Sequence, residues 1–148
     1  MRINFQKWFG VLLVLTVIIT ISVYSQKTSR KAGDNELLAR VIRAEAEAEP
    51  YTGQVAVAAV ILNRIQDPKF PNTLAGVVYQ PRAFESVSNG MVNRPPTESA
   101  RKAANAALGG WDPSGGALFF FNPAKVGAKS YVWTRKIIQK IGKHVFAL

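Results

Sequence analysis

Between Lys7 and Lys27 the chain carries no charge, and residues 8–25 (WFGVLLVLTVIITISVYS) are apolar on every helical face. A core helix of a globular domain normally keeps a polar face toward water, so this run reads as an export segment. Its 18 residues come close to the roughly 20 that span a bilayer as a helix. Val23 and Ser25 before Gln26 also suit signal-peptide cleavage, so a retained anchor and a removable signal both fit. Lys27, Arg30 and Lys31 on the far side blunt the charge asymmetry that would fix orientation.

Residues 26–34 are polar and predict a tether, so the chain divides into segment 1–25, tether 26–34 and one domain, 35–148. The domain opens with a helix capped by Asp34 or Asn35, whose apolar stripe is Leu37, Leu38, Val41 and Ile42. Steps of three and four lead that stripe on to Glu45 and Glu49, while Glu36, Arg40, Arg43 and Glu47 face away in ion-pair spacing. Pro50 ends the helix. A second helix is predicted over 53–65, capped by Thr52, apolar nearly all round and rich in alanine, hence central. Residues 66–96 predict a long loop with one helical stretch at 73–79. Thr97 caps a third helix that runs to Leu108 and stops at Gly109-Gly110. Two β-like runs, 117–121 and 130–134, predict a hairpin, and the basic tail 136–146 predicts a weak helix. The fold class is α+β: a small helical domain with a short β-hairpin, preceded by one hydrophobic segment.

Formal charge is +10, from 19 Lys and Arg against 9 Asp and Glu, which favours polyanions such as wall polymers or anionic lipid. The basic residues are scattered and form no nucleic-acid motif, so no nucleic-acid partner is expected. The chain has no cysteine and one histidine, His144. Thiol nucleophiles and thiolate metal sites are excluded, a zinc site lacks ligands, and no metal or cofactor is expected. No Gly-x-Ser-x-Gly elbow or phosphate loop is present. Any catalysis must then run on carboxylates, hydroxyls and amides; His144 reads as a packing or capping residue.

Glu45, Glu47 and Glu49 separate on the helical pattern. Glu47 falls on the polar face beside Arg43. Glu45 takes a position where an apolar residue is expected, facing the core or a cleft. Burial favours the protonated form of a carboxylic acid, and a proton-holding acid is what general-acid cleavage of a glycosidic bond requires. A core carboxylate that ties down backbone N–H groups fits the pattern equally. Glu49 shares the face, but two residues on one helix approach a bond from the same side, so it reads as structural rather than as the second carboxylate of a retaining pair.

The run Glu45-Ala46-Glu47-Ala48-Glu49-Pro50-Tyr51-Thr52-Gly53-Gln54 and its continuation to Asn63-Arg64 resemble the spore cortex-lytic enzymes, members of the germination cell-wall hydrolase family. Phe70-Pro71-Asn72-Thr73, Pro81-Arg82-Ala83-Phe84, Gly110-Trp111-Asp112-Pro113, Phe120-Phe121-Asn122-Pro123, Trp133-Thr134-Arg135 and Ile141-Gly142-Lys143-His144-Val145-Phe146 extend the likeness over roughly residues 36–146. The resemblance implies a lysozyme-like α+β catalytic domain that cleaves peptidoglycan by lytic transglycosylation on spore cortex containing muramic δ-lactam. It also implies that Glu45 is the single catalytic acid/base. Ala44, Glu47 and Ala48 depart from the Gly and Arg that the family carries around that glutamate. A glycan groove is expected around Glu45, with Gln54 and Asn63 from the second helix, Phe84 and Ser86 from the loop, and Phe121, Asn122 and Trp133 from the hairpin. The expected partners are peptidoglycan strands, a membrane through the N-terminal segment, and an accessory germination protein; the expected location is extracytoplasmic. A hydrolytic lysozyme and a catalytically silent wall-binding protein are the competing readings.

Overall fold

The computed structural model describes residues 5–148, with side chains described from residue 10 onward. Helix α1 spans Phe5–Ala46. Two compact units divide at Gly33 and Asp34. In the first, the apolar side chains from Val11 to Val23 are exposed, and this helix is the one among the described residues long and apolar enough to cross a membrane. The predicted tether is helical instead, and Asp34 and Asn35 cap nothing. Gln26, Lys27, Arg30, Lys31 and Ala32 are good helix formers, and a single Gly33 costs only about 1 kcal/mol, too little to break a helix already running.

In the second unit, Leu38, Val41 and Ile42 of the predicted stripe are fully buried, Leu37 is partly buried against the same core, and Ala39 joins them. The central element is α2, Tyr51–Gln66, with Pro50 at its N-cap and no side-chain cap. It begins two residues before the predicted start, because Pro50 already has the extended φ and ψ of a cap and Thr52 lies inside the first turn. One face of α2 (Val55, Ala58, Ile61) packs with α1, with α3 (Leu74–Val78) and with the alanine face of α5 (Glu98–Leu108). The other face (Ala56, Val57, Val60) packs on Ala46, Ala117 and Phe146. The loop 66–96 also holds a short helix α4, Glu85–Ser88, and a 3₁₀ turn, Met91–Asn93. Thr73 and Thr97 cap α3 and α5 by accepting from the N–H groups of Gly76 and Ala100.

The sheet has three antiparallel strands in the order β1 (Phe119–Phe121), β3 (His144–Ala147), β2 (Ile137–Ile141). Segment 130–134 is not a strand: Tyr131–Thr134 form a 3₁₀ turn. The hairpin lies in the tail that was expected to be helical. Gly142-Lys143 is its two-residue turn, with positive φ (59°) at glycine, the first central position, as a type II′ turn requires. Glu49 sits in the turn between α1 and α2, buried, and its Oε2 accepts from the Lys143 N–H at 2.8 Å. Its structural role is to pin the hairpin turn to the start of α2. Arg64 fastens α2 to β1: its Nε donates to the Leu118 carbonyl at 2.7 Å, and its guanidinium lies 5.2–5.5 Å from the ring centres of Phe70, Phe84 and Phe119.

Candidate active site

Glu45 lies in the last turn of α1, and its neighbour Ala46 is sealed against Phe146 and α2, which fixes that turn. A cavity of about 420 Å³ opens beside it. Ala44 and Glu45 line it from α1, Glu85 and Ser86 from α4, and Asn89 and Met91 from the following loop. Phe120, Phe121, Asn122, Lys125 and Val126 come from β1 and the chain after it, and His144 from the start of β3. Pairing of Phe121 with Val145 is what brings Asn122 and His144 to the same end of the sheet.

Glu45 Oε1 is buried without a hydrogen-bond partner among the described residues, as are Ser86 Oγ and His144 Nδ1. Burial pushes the His144 imidazole below its ordinary value of 6.5; Glu49 and Glu45 pull it back in part, and Lys125 adds to the depression. His144 is therefore uncharged at neutral pH. Among the described residues no three His, Asp or Glu side chains come together as a metal site.

A cavity of about 550 Å³ lies between α2 and the end of α5, with Trp111 and Asp112 in its wall. Its one acid is fully engaged. Asp112 accepts from Ser114 N–H and Oγ, Gly116 N–H and Asn63 Nδ2. Burial alone would raise the Asp112 carboxyl, but these bonds outweigh it and hold it below the usual range. A carboxylate with that many donors is a loop anchor, so the smaller cavity carries the candidate chemistry.

Of the residues expected in a groove, Glu45, Ser86, Phe121 and Asn122 share the cavity, and the others do not line it. Gln54 is buried, donating to the Glu49 carbonyl and accepting from Ser99. Asn63 spends its amide N–H groups on Asp112 and the Ala117 carbonyl. Phe84 is a core residue, packed 6.3 Å from Phe120. Trp133 stands edge-on behind Phe121 at 5.1 Å and donates to the Gly127 carbonyl. Glu47 pairs with Arg43 at 3.3 Å on the surface, as its pattern predicts. The sequence reading did not place Glu85, Lys125 or His144 at the cavity; His144 reads there as a packing residue, and its ring does pack against Phe120 and Phe146. Assigning residues 136–146 to a helix hid the strand that carries His144 to the cavity.

The sequence profile of the cell wall hydrolase family matches residues 48–147. Glu45 lies just before that span. The chain is 51% identical over 113 residues to a spore cortex-lytic enzyme from Bacillus cereus, covering 76% of this chain and 43% of that protein. It thus spans less than half the length of that relative. The catalytic domain of the Bacillus cereus SleB protein superposes with a TM-score of 0.73 at 50% identity, over 78% of this chain and 89% of that one. The catalytic domain of a germination-specific lytic transglycosylase, SleB from Bacillus anthracis, gives 0.74 at 50% identity, over 78% and 93%. Matched along most of its length and half-identical to a spore cortex-lytic enzyme, the chain belongs to the cell wall hydrolase family.

Proposed function

We propose that the chain cleaves the glycan strands of peptidoglycan, spore cortex in particular, as a lytic transglycosylase with Glu45 as its single acid/base. The observation that carries this reading is the half-buried Glu45 carboxyl, with one oxygen unpartnered, in the wall of a cavity large enough for a sugar. The likeness to enzymes described as cortex-lytic and as a germination-specific lytic transglycosylase supports the substrate and the reaction class. The basic charge of the chain favours an anionic wall polymer.

Glu45 gives its proton to the glycosidic oxygen as the bond from that oxygen to the muramoyl C1 breaks. The leaving sugar departs with a free hydroxyl, and positive charge develops at C1. The Glu45 carboxylate then takes the proton of the C6 hydroxyl while that oxygen closes on C1. A 1,6-anhydro ring forms, Glu45 regains its proton, and no water is consumed. One carboxyl suffices because the substrate supplies its own nucleophile. Ser86 and Asn122 present neutral polar groups to the sugar, and Phe121 an aromatic wall.

The experiment digests purified cortex peptidoglycan with the 148-residue chain in detergent and reads the products by mass spectrometry. Anhydro-ended fragments, each lighter by one water than its reducing counterpart, are expected. Reducing ends would make the enzyme a hydrolase. Binding to the glycan without any product would make the chain a wall-binding protein.

A further inference from the structure

The three buried atoms without partners on the cavity come from three elements: Glu45 Oε1 from α1, Ser86 Oγ from α4 and His144 Nδ1 from β3. Every other such atom among the described residues is an arginine Nε. A buried polar atom ordinarily finds a partner, because left unpaired it has given up its bond to water for nothing in return. Three of them belong to residues around one cavity, so polar groups that have found no partner within the protein gather where a ligand would enter. The reaction gives Glu45 its role and Ser86 a contact. It leaves His144 unused.

The His144 ring is braced edge-on by Phe120 and Phe146, with centroids 5.3 and 6.4 Å away, so its orientation is set by packing. As a neutral imidazole it has one nitrogen that donates and one that accepts. Its natural partner both donates and accepts. A sugar hydroxyl or an acetamido group does both, whereas a carboxylate only accepts and an ammonium only donates.

We propose that His144 is a substrate-positioning residue that, with Ser86, hydrogen-bonds a hydroxyl or acetamido group of the bound sugar and so holds the glycosidic oxygen against Glu45. The inference rests on Glu45 being the acid. Protonation turns both ring nitrogens into donors and removes the acceptor, so part of the acid-side loss of activity belongs to His144. The charged groups around it are Glu45 on α1, Glu49 in the turn before α2, Glu85 on α4, and Lys125 after β1, with Lys143 next to it in the hairpin turn.

The test compares H144F, H144N, H144Q and E45Q in the 148-residue chain on solubilised peptidoglycan fragments, with melting temperatures alongside. H144F keeps an aromatic ring against Phe120 and Phe146 but has no polar atom. It is expected to lower kcat/KM about tenfold or more, the scale of one hydrogen bond to the substrate. H144N places an amide near Nδ1 and H144Q near Nε2; one of them is expected to recover most of the activity and to show a smaller acid-side loss below 6.5 than wild type. H144F with wild-type kcat/KM, or a folded set in which neither amide exceeds H144F, overturns the proposal. If H144F does not fold, a folded amide variant that is active with a smaller acid-side loss than wild type supports it, and folded but inactive amide variants overturn it. An active E45Q would instead remove the acid assignment; an inactive E45Q beside an active H144F removes the role of His144 alone.

Discussion

Glu45 and Glu49 stand four residues apart and have opposite surroundings, because α1 stops at Ala46 between them. Beyond that point Glu49 turns inward to meet the Lys143 N–H, and its carboxylate is consumed by the fold. Glu49→Ala is expected to lower stability by about 1.5–3 kcal/mol, the range for a hydrogen bond to a charged group, in a urea titration. Asp112 is the other consumed acid, and its lowered pKa makes its contribution full above the ordinary 3.8 and lost as pH falls through the folded value. For His144 folding also lowers the pKa. As pH falls through 6.5 the unfolded chain takes up a proton that the folded chain refuses, so stability is full above 6.5 and declines below it. Urea midpoints measured on both sides of 6.5 should show that decline in wild type and not in H144N. The place of Glu45 on a cavity wall was legible because the apolar stripe of α1 leads on to it. Gln54, Asn63 and Phe84 were not separable from site residues, since an amide that binds sugar and one that ties a loop look alike until partners are seen.

At the scale of elements, the caps read most directly. Thr97 followed by an alanine-rich helix gave α5 from its first residue, and Thr97→Ala should cost about 1 kcal/mol in the same titration. The hairpin was hidden by a bulge. Ile137 pairs with Ala147 and Gln139 with Phe146, so Ile138 is an extra residue that breaks the two-residue alternation. Without that alternation the run Ile137 to Ile141 looks as much like a helix as a strand. The decisive local signal was Gly142. A Cβ there would lie 2.1 Å from Glu49 Oε2 and 2.8 Å from Pro50 Cδ, at a φ that L side chains rarely adopt. Gly142→Ala should therefore destabilise by about 1–3 kcal/mol, the cost of a strained backbone, and loosen the strand that carries His144.

At the scale of the molecule, helices pack on one side of α2 and a small sheet on the other, and a cavity opens where α1, α4 and the strand ends meet. The α+β class followed from the patterns, whereas the continuity of α1 did not: a polar stretch of helix-forming residues carries no mark that distinguishes a tether from a helix. The opening itself depends on which strand ends meet, and no local pattern encodes that. The central claim is that this opening works through one acid. The measurement that tests it most directly compares Glu45→Gln with wild type for release of fragments from purified cortex peptidoglycan, with unchanged melting temperature as the control. A loss of about 10²–10⁴-fold, the span of general acid–base catalysis, is the predicted result. A folded Glu45→Gln chain that cleaves within a few-fold of wild type would contradict the account and move the chemistry away from Glu45.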